Sequence, residues 1–376
     1  MGLLRILLAA SVLAAHIHGK SIMSFRLVHG DLAVQSFFMI SGFYMALVLN
    51  QKYRPGQYWT FLQQRWLRLM PAYWVILGLN VLTAVFFISR LPAEHAYMGW
   101  LHQAQIPNAA SLAWFGFVNI FILGYETLFF TTVNPDTGSL NFVLDPPQHV
   151  LSGLNFSVIG PAWSLSLEMM FYLIAPFLVR LPWRAQAGVV LASLALRWGC
   201  VVFFHLHSTF FDNRCFPFEL GFFMAGSLAY QVYVRYGRDI ARSASRWQWA
   251  RWFFYAIVVA YSRLPGPDFI HYHLFIIMLF VMIPVLFAMT KDTLWDRYVG
   301  ELSYSFYLSH PMIILLTSAL VQKLPDNRWG VAYLLLCLCF SYLLYRFFEV
   351  KVDRWRESLL ERRPRVQAEE PVAVTN

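Results

Sequence analysis

Residues 3–19 read LLRILLAASVLAAHIHG. A run of this length can cross a hydrocarbon core ~30 Å thick, which takes about 17–25 residues. It nevertheless carries a guanidinium at Arg5 and an imidazole at His16. Ionisable groups inside a span are costly, so they normally face a bundle interior or a wet cavity. Eleven residues at 100° each end about 20° past three full turns, so the two side chains share one helix face, roughly 16 Å apart along the axis. That spacing suits a long anionic ligand entering at Arg5 with its reactive end at His16. The plainer reading is an arginine snorkelling to the headgroups and a histidine at the outer surface. Lys20 follows the run and no small-residue cleavage site closes it, so the sequence predicts a retained helix rather than a cleaved signal.

The rest of the chain repeats this pattern. Of its 376 residues 59% are hydrophobic and only 13% charged, against about 25% charged in an ordinary soluble domain, which excludes a soluble enzyme and a disordered chain. Apolar stretches at 3–19, 34–50, 71–89, 158–180, 187–206, 216–234, 252–264, 269–290, 303–322 and 330–349 predict an all-α integral membrane bundle of about ten transmembrane helices. The seventh is short, and its start could lie earlier, among the tryptophans around Trp249. With both termini cytoplasmic, twenty of the 29 Lys and Arg fall on the inner side and seven on the outer, as the positive-inside rule requires. The net charge of +9 is then mainly an orientation signal rather than a sign of nucleic acid. This count holds only if LAWFGFVNIFILGYETLFF (112–130) does not cross. We therefore expect one long outer segment, 90–157, with a membrane-dipping or lid helix and loop signals at Asn134-Pro135-Asp136 and Asp145-Pro146-Pro147. Trp100, His102, Trp114, Tyr125 and His149 in it are of the types a carbohydrate site uses, and also of the types found in interfacial belts. The expected organisation is a transmembrane domain over 1–355 and a cytoplasmic tail over 356–376, disordered at its end.

Further polar residues lie where lipid is expected. Glu168 sits well inside PAWSLSLEMMFYLIAP (161–176), where a carboxylate needs a cation, a hydrogen-bond partner or a proton. Ser303, Tyr307 and His310 form an i, i+4, i+7 stripe in ELSYSFYLSHP (301–311), suited to lining a cavity or to bonding between helices. YWTFLQQRWLRLMPAYW (58–74) reads as an amphipathic helix at the inner interface, anchored by Trp59 and Trp66. Its Arg65 and Arg68 are i, i+3 neighbours, a clamp for phosphates or a headgroup contact. Hydrolase, metalloprotease and nucleotide-loop motifs are absent. The i, i+2 histidine pairs diverge on a helix, which argues against zinc. Four cysteines show no metal-ligand spacing.

Taken together, Arg5 with His16, AVQSFFMISGFYMAL (33–47), FLQQRWLRLMPAYW (61–74), PAWSLSLEMMFYLIAP (161–176), RCFPFELGFFMAGSLAY (214–230), LSYSFYLSHP (302–311) and FFEVKVDRW (347–355) resemble the acyltransferase 3 family of integral membrane acyltransferases. The resemblance implies transfer of an acyl group, usually acetyl from acetyl-CoA, to a hydroxyl of a cell-surface or exported carbohydrate, in a bacterial inner membrane. It implies His16 and Glu168 as catalytic residues and Arg5, Arg65 and Arg68 as donor-binding residues. His16 would be a general base or would transiently carry the acyl group; Glu168 would orient His16 or an arginine. No resident cofactor or metal is implied: acyl-CoA enters as co-substrate. The expected partners are acyl-CoA, a carbohydrate or lipid-linked glycan acceptor and membrane lipid. Where many members have Gly-Val-Asp, this chain has Ala33-Val34-Gln35, so the role of that Asp does not carry over. The competing class is a multi-span transporter of a small anion or polyol, which intramembrane Arg, His and Glu would also suit.

Overall fold

A computed structural model describes residues 1–17, 22–23, 25–87, 107–144, 146, 150–204, 213–320 and 329–361. Trp100, His102 and His149 of the outer segment, His205 and His207, and the end of the tail lie outside the described residues. The chain is helical. Its elements are α1 (Gly2–His16), α2 (Gly30–Gln51), α3 (Tyr58–Phe87), α4 (Ala109–Phe121), α5 (Ala162–Leu178) and α6 (Trp183–Phe204), then α7 (Phe216–Arg242), α8 (Ala244–Ala260), α9 (Asp268–Thr290), α10 (Leu294–Leu320), α11 (Gly330–Leu344) and α12 (Val350–Glu361). Among the described residues, each of the ten stretches expected as spans overlaps a helix. Five helical runs, Gly30–Gln51, Tyr58–Phe86, Trp183–Phe203, Asp268–Thr290 and Gly330–Leu359, are by themselves long and apolar enough to cross a bilayer. Their outward residues, such as Phe86, Leu191, Phe203 and Leu274, are exposed, as lipid-facing side chains are.

Two boundaries differ from the expected stretches. The interfacial helix and the span after it are one element, because helix formers run from Tyr58 to Met70 and Pro71 only interrupts the ladder. Thirty residues rise about 45 Å, so the first turns of α3 extend beyond a single hydrocarbon crossing. The seventh stretch begins earlier, at Ala244. The all-α reading fits, and the outer segment adds one short hairpin to it. In the outer segment α4 stops after 13 residues, where Ile122 takes a left-handed φ of 66°, and about 20 Å of rise falls short of a crossing. A 3-10 turn then leads to a two-stranded antiparallel hairpin, with Thr131 opposite Phe142 and Val133 opposite Leu140. This segment is tied to α3, since Tyr73 donates to the Asn119 carbonyl at 2.5 Å and Trp74 to that of Ile120 at 2.8 Å.

Contacts fix how the helices run. α1 and α10 are parallel and in register: Asp296 accepts from the Gly2 and Leu3 amides at 2.8 and 3.0 Å, and one pitch after another later His16 meets His310. Asp296 thus caps α1 in trans, satisfying N–H groups that have no partner within the helix. α2 runs the other way, as Phe37 packs on Tyr307, and α5, α7 and α9 run with α2. The α2–α7 crossing is very close. A Cβ on Gly226 would stand 1.8 Å from the Met39 carbonyl oxygen, and one on Gly42 at 1.8 Å from that of Phe223. Only glycine permits that approach, the usual device for packing helices where lipid gives no hydrophobic drive. Phe223 then stacks between Phe38 at 4.6 Å and Phe171 at 4.4 Å, which locks α2, α5 and α7 together.

Candidate active site

The helices enclose a cavity of about 540 Å³ that opens where α1 and α10 begin. Its mouth is dense in charge, with Arg5, Arg65, Arg68, Lys291, Arg297 and Arg356 on its wall. All three arginines expected to hold a donor therefore share one chamber. Arg68 Nη2 bonds Glu301 Oε2 at 2.6 Å, with both side chains about one-third exposed. Burial works to raise the Glu301 carboxyl, but Arg68 and Arg5 outweigh it and hold it below the ordinary glutamate value. Arg65 lies over the Phe61 ring, its Cζ 5.6 Å from the centroid, and its Nε has no hydrogen-bond partner among the described residues. Asp296, Glu349, Asp353 and Glu357 stand on the same wall, Asp353 paired with Arg356 at 2.8 Å, so the mouth holds both signs of charge, with Arg5, Arg65 and Arg68 among them.

Glu168 lies further in and lines the same cavity. Ser41 Oγ donates to its Oε1 at 2.7 Å and Tyr172 OH at 2.6 Å. Its hydrogen bonds thus go to two hydroxyls rather than to His16 or to an arginine. Tyr172 follows Glu168 by one helical turn, so one partner is local and the other comes from α2. Ser303 lines the chamber between Glu301 and Tyr307, and Ser164 meets Tyr307. Tyr307 OH bonds Ser164 Oγ at 2.7 Å and donates to the Pro161 carbonyl at 3.3 Å. Ser303 donates to the Gly300 carbonyl at 2.6 Å, one turn back in its own helix.

The histidines lie just beyond. His16 ends α1 and is exposed, with Nδ1 at 2.8 Å from the Val12 carbonyl. His310 is fully buried, with Nδ1 at 2.6 Å from the Tyr307 carbonyl. The two ring centroids are 5.1 Å apart, and that of Tyr307 is 6.0 Å from His310. A carbonyl oxygen can only accept, so in both rings Nδ1 carries the hydrogen and Nε2 keeps its lone pair. Each ring is thereby set as a base at Nε2. Neither ring lines the cavity. The chamber ends at Tyr307, and the order inward from its mouth is cations, Glu168, Tyr307, His310, His16. Of the Ser303, Tyr307 and His310 stripe, the first two line the cavity and the third stands behind them.

Several groups near the site carry no signal in spacing alone. Glu301 precedes the polar stripe but meets Arg68 only because α3 crosses α10. Glu349 reaches Ser305 because a single π turn, Tyr345–Glu349, links α11 to α12, a distortion that recurs at functional sites. A second polar group is built on Gln35. Gln35 donates to Glu219 at 3.2 Å, accepts from Tyr272 at 2.5 Å, and Glu219 also lies 3.8 Å from Arg197. Among the described residues no group of three or more His, Cys, Asp or Glu could hold a metal ion.

These features define a helical membrane protein with an internal, polar chamber whose mouth is dense in charge, a build that a passive scaffold does not need. Residues 1–346 match the family model described as an acyltransferase domain, and the chain belongs to that family. No curated protein and no solved structure matches it. The family suggested by the motif order is the one found, and it makes this chain a membrane acyltransferase in general kind.

Proposed function

We propose that this protein is an O-acyltransferase that moves an acetyl group from acetyl-CoA to a hydroxyl of a cell-surface or exported carbohydrate, as a multi-pass protein of a bacterial inner membrane with both termini in the cytoplasm. The observation that carries the reading is the chamber itself, with Arg5, Arg65 and Arg68 at its mouth and Tyr307 at its far end. Phosphates of a CoA would dock on the arginines, which suit multiple anionic oxygens. The thin pantetheine arm would follow the chamber past Glu168 towards Tyr307.

The acceptor would approach His16 from the opposite end of the bundle, where that residue is exposed. His16 Nε2 takes the hydroxyl proton, the oxygen bonds the acyl carbon, the carbon–sulfur bond breaks, and the thiolate finally recovers the proton. In the covalent variant, Nε2 takes the acyl group first and passes it to the hydroxyl. Since the chamber closes at Tyr307, the Ser164–Tyr307 contact must give way for the thioester to reach His16. The test is to incubate the purified protein with labelled acetyl-CoA and a glycan acceptor and to measure free CoA and acetylated product. Acceptor-dependent CoA release is expected. Carriage of the label across a vesicle without CoA release would instead establish a transporter and defeat the proposal.

A further inference from the structure

His310 is the group that nothing above employs. It fills the gap between the closed end of the chamber and the exposed base, touching the Tyr307 ring on one side and the His16 ring on the other. It is fully buried, and its Nε2 has no hydrogen-bond partner among the described residues. A histidine retained only to tie helices together would use that nitrogen, as Ser164 and Tyr307 use their hydroxyls a few ångströms away. Its other nitrogen is fixed by the Tyr307 carbonyl, so ring rotation to satisfy Nε2 would break a 2.6 Å bond. The idle lone pair is thus held in place beside His16. When His16 is neutral it too presents a lone pair at Nε2, and the two bases have no hydrogen to share. They acquire one only when His16 takes a proton.

We propose that His310 is a positioning residue for acyl transfer: its Nε2 accepts a hydrogen bond from His16 once His16 holds the acceptor's proton, and so keeps that imidazolium oriented until the thiolate leaves. This rests on the acyl-transfer reading above. The proton count is unchanged by His310: one proton leaves the acceptor oxygen for His16 Nε2, is shared across the two rings while the carbon–sulfur bond breaks, and ends on sulfur. His310 neither gains nor loses a proton over the cycle. The parallel register of α1 and α10, set by Asp296 at one end, is what brings the two rings together at the other.

The test compares wild type, His310→Phe and His310→Gln in membranes or nanodiscs, with kcat, donor KM and the solvent deuterium isotope effect on kcat measured for each. Phe fills the space without an acceptor; Gln keeps a side-chain oxygen that can accept. The expected result is a fall in kcat of about 30- to 100-fold for Phe, a smaller fall for Gln, and donor KM within about twofold of wild type in both. The isotope effect should change in Phe, because proton sharing no longer accompanies the slow step. Wild-type kcat in His310→Phe overturns the inference. So does an equal loss in Phe and Gln that parallels a drop in folded yield, with the isotope effect of the surviving protein unchanged. A wild type that releases no CoA at all fails the acyl-transfer reading itself and this inference with it, a result distinct from an active wild type with indifferent variants.

Discussion

The two ends of the α1–α10 pair are built from opposite materials. At the end where both helices start, charge is dense and redundant: Asp296 caps α1, Arg68 pairs with Glu301, and several further cations share the chamber wall. At the other end there are two imidazoles, each bonded to a backbone carbonyl of its own helix, and among the described residues no ion pair holds either. A redundant cluster of partly solvated charges tolerates losing one member, because neighbours and water replace its field. Two isolated bases have no such reserve. The difference separates an end suited to holding an anion from an end suited to moving a proton, and it ranks the expected effects of substitution.

The largest effect falls at the sparse end. His16→Ala should lower kcat by on the order of 10³-fold, within the range for loss of a general base, and leave donor KM unchanged. Steady-state acetylation with folded protein measures both, and a variant with near-wild-type kcat would break the assignment of chemistry to this end. Next comes the charged end. The double variant Arg65→Glu, Arg68→Glu should raise donor KM on the order of 10- to 100-fold with kcat within a few-fold, since uniform binding is lost rather than transition-state stabilisation. Arg68 alone is harder to read, because Glu301 would then face a second acid. Exchanging the pair, Arg68→Glu with Glu301→Arg, keeps the cation in the chamber and should restore most of the donor KM. Titration of KM against ionic strength sharpens the point, as a phosphate clamp weakens with salt.

How much of this was legible beforehand follows from what a sequence encodes locally. Arg5 and His16 announce themselves because ionisable groups in a 17-residue apolar run are conspicuous, and their shared face follows from helix geometry alone. Arg65 and Arg68 are visible for the same reason. The partner of Arg68 is not, since Glu301 lies 233 positions away and only the crossing of α3 over α10 joins them. The same holds for Ser41 on Glu168 and for His310 on His16: each residue is noticeable, but adjacency depends on which helices pack and in which register. Pro71 misleads in the other direction. The expected span starts at Pro71, yet α3 runs unbroken from Tyr58 through it, because one missing amide does not end a helix held by packing on both sides. The outer hairpin is short and built on Thr and Asn, with too little period-2 patterning to stand out.

Glu168 lies between the two ends and tests whether the division is sharp. Glu168→Gln keeps an oxygen for Ser41 and Tyr172 to donate to, so kcat should fall less than about tenfold. Glu168→Ala leaves two hydroxyls without their acceptor, at about 1–3 kcal/mol each if they stay dry, and should show first in thermal stability. A loss in the Gln variant as large as in His16→Ala would move the chemistry towards the chamber and away from the histidines.

The smallest effect on chemistry is expected from a site that touches neither end. Gly226→Ala places a methyl group 1.8 Å from the Met39 carbonyl oxygen, a distance no relaxation of side chains can absorb, so α2 and α7 must separate. Overpacking of this kind costs typically about 1–3 kcal/mol, and it should appear as a lower melting temperature and a lower folded yield. α2 also carries Ser41 and Phe37 on the chamber wall, whereas α1 and α10 hold the histidines through their own register. Shifting α2 should therefore raise donor KM a few-fold and leave kcat per folded molecule nearly unchanged. A large fall in kcat with KM intact would mean that the imidazole end is positioned by the α2–α7 crossing and not by the α1–α10 pair.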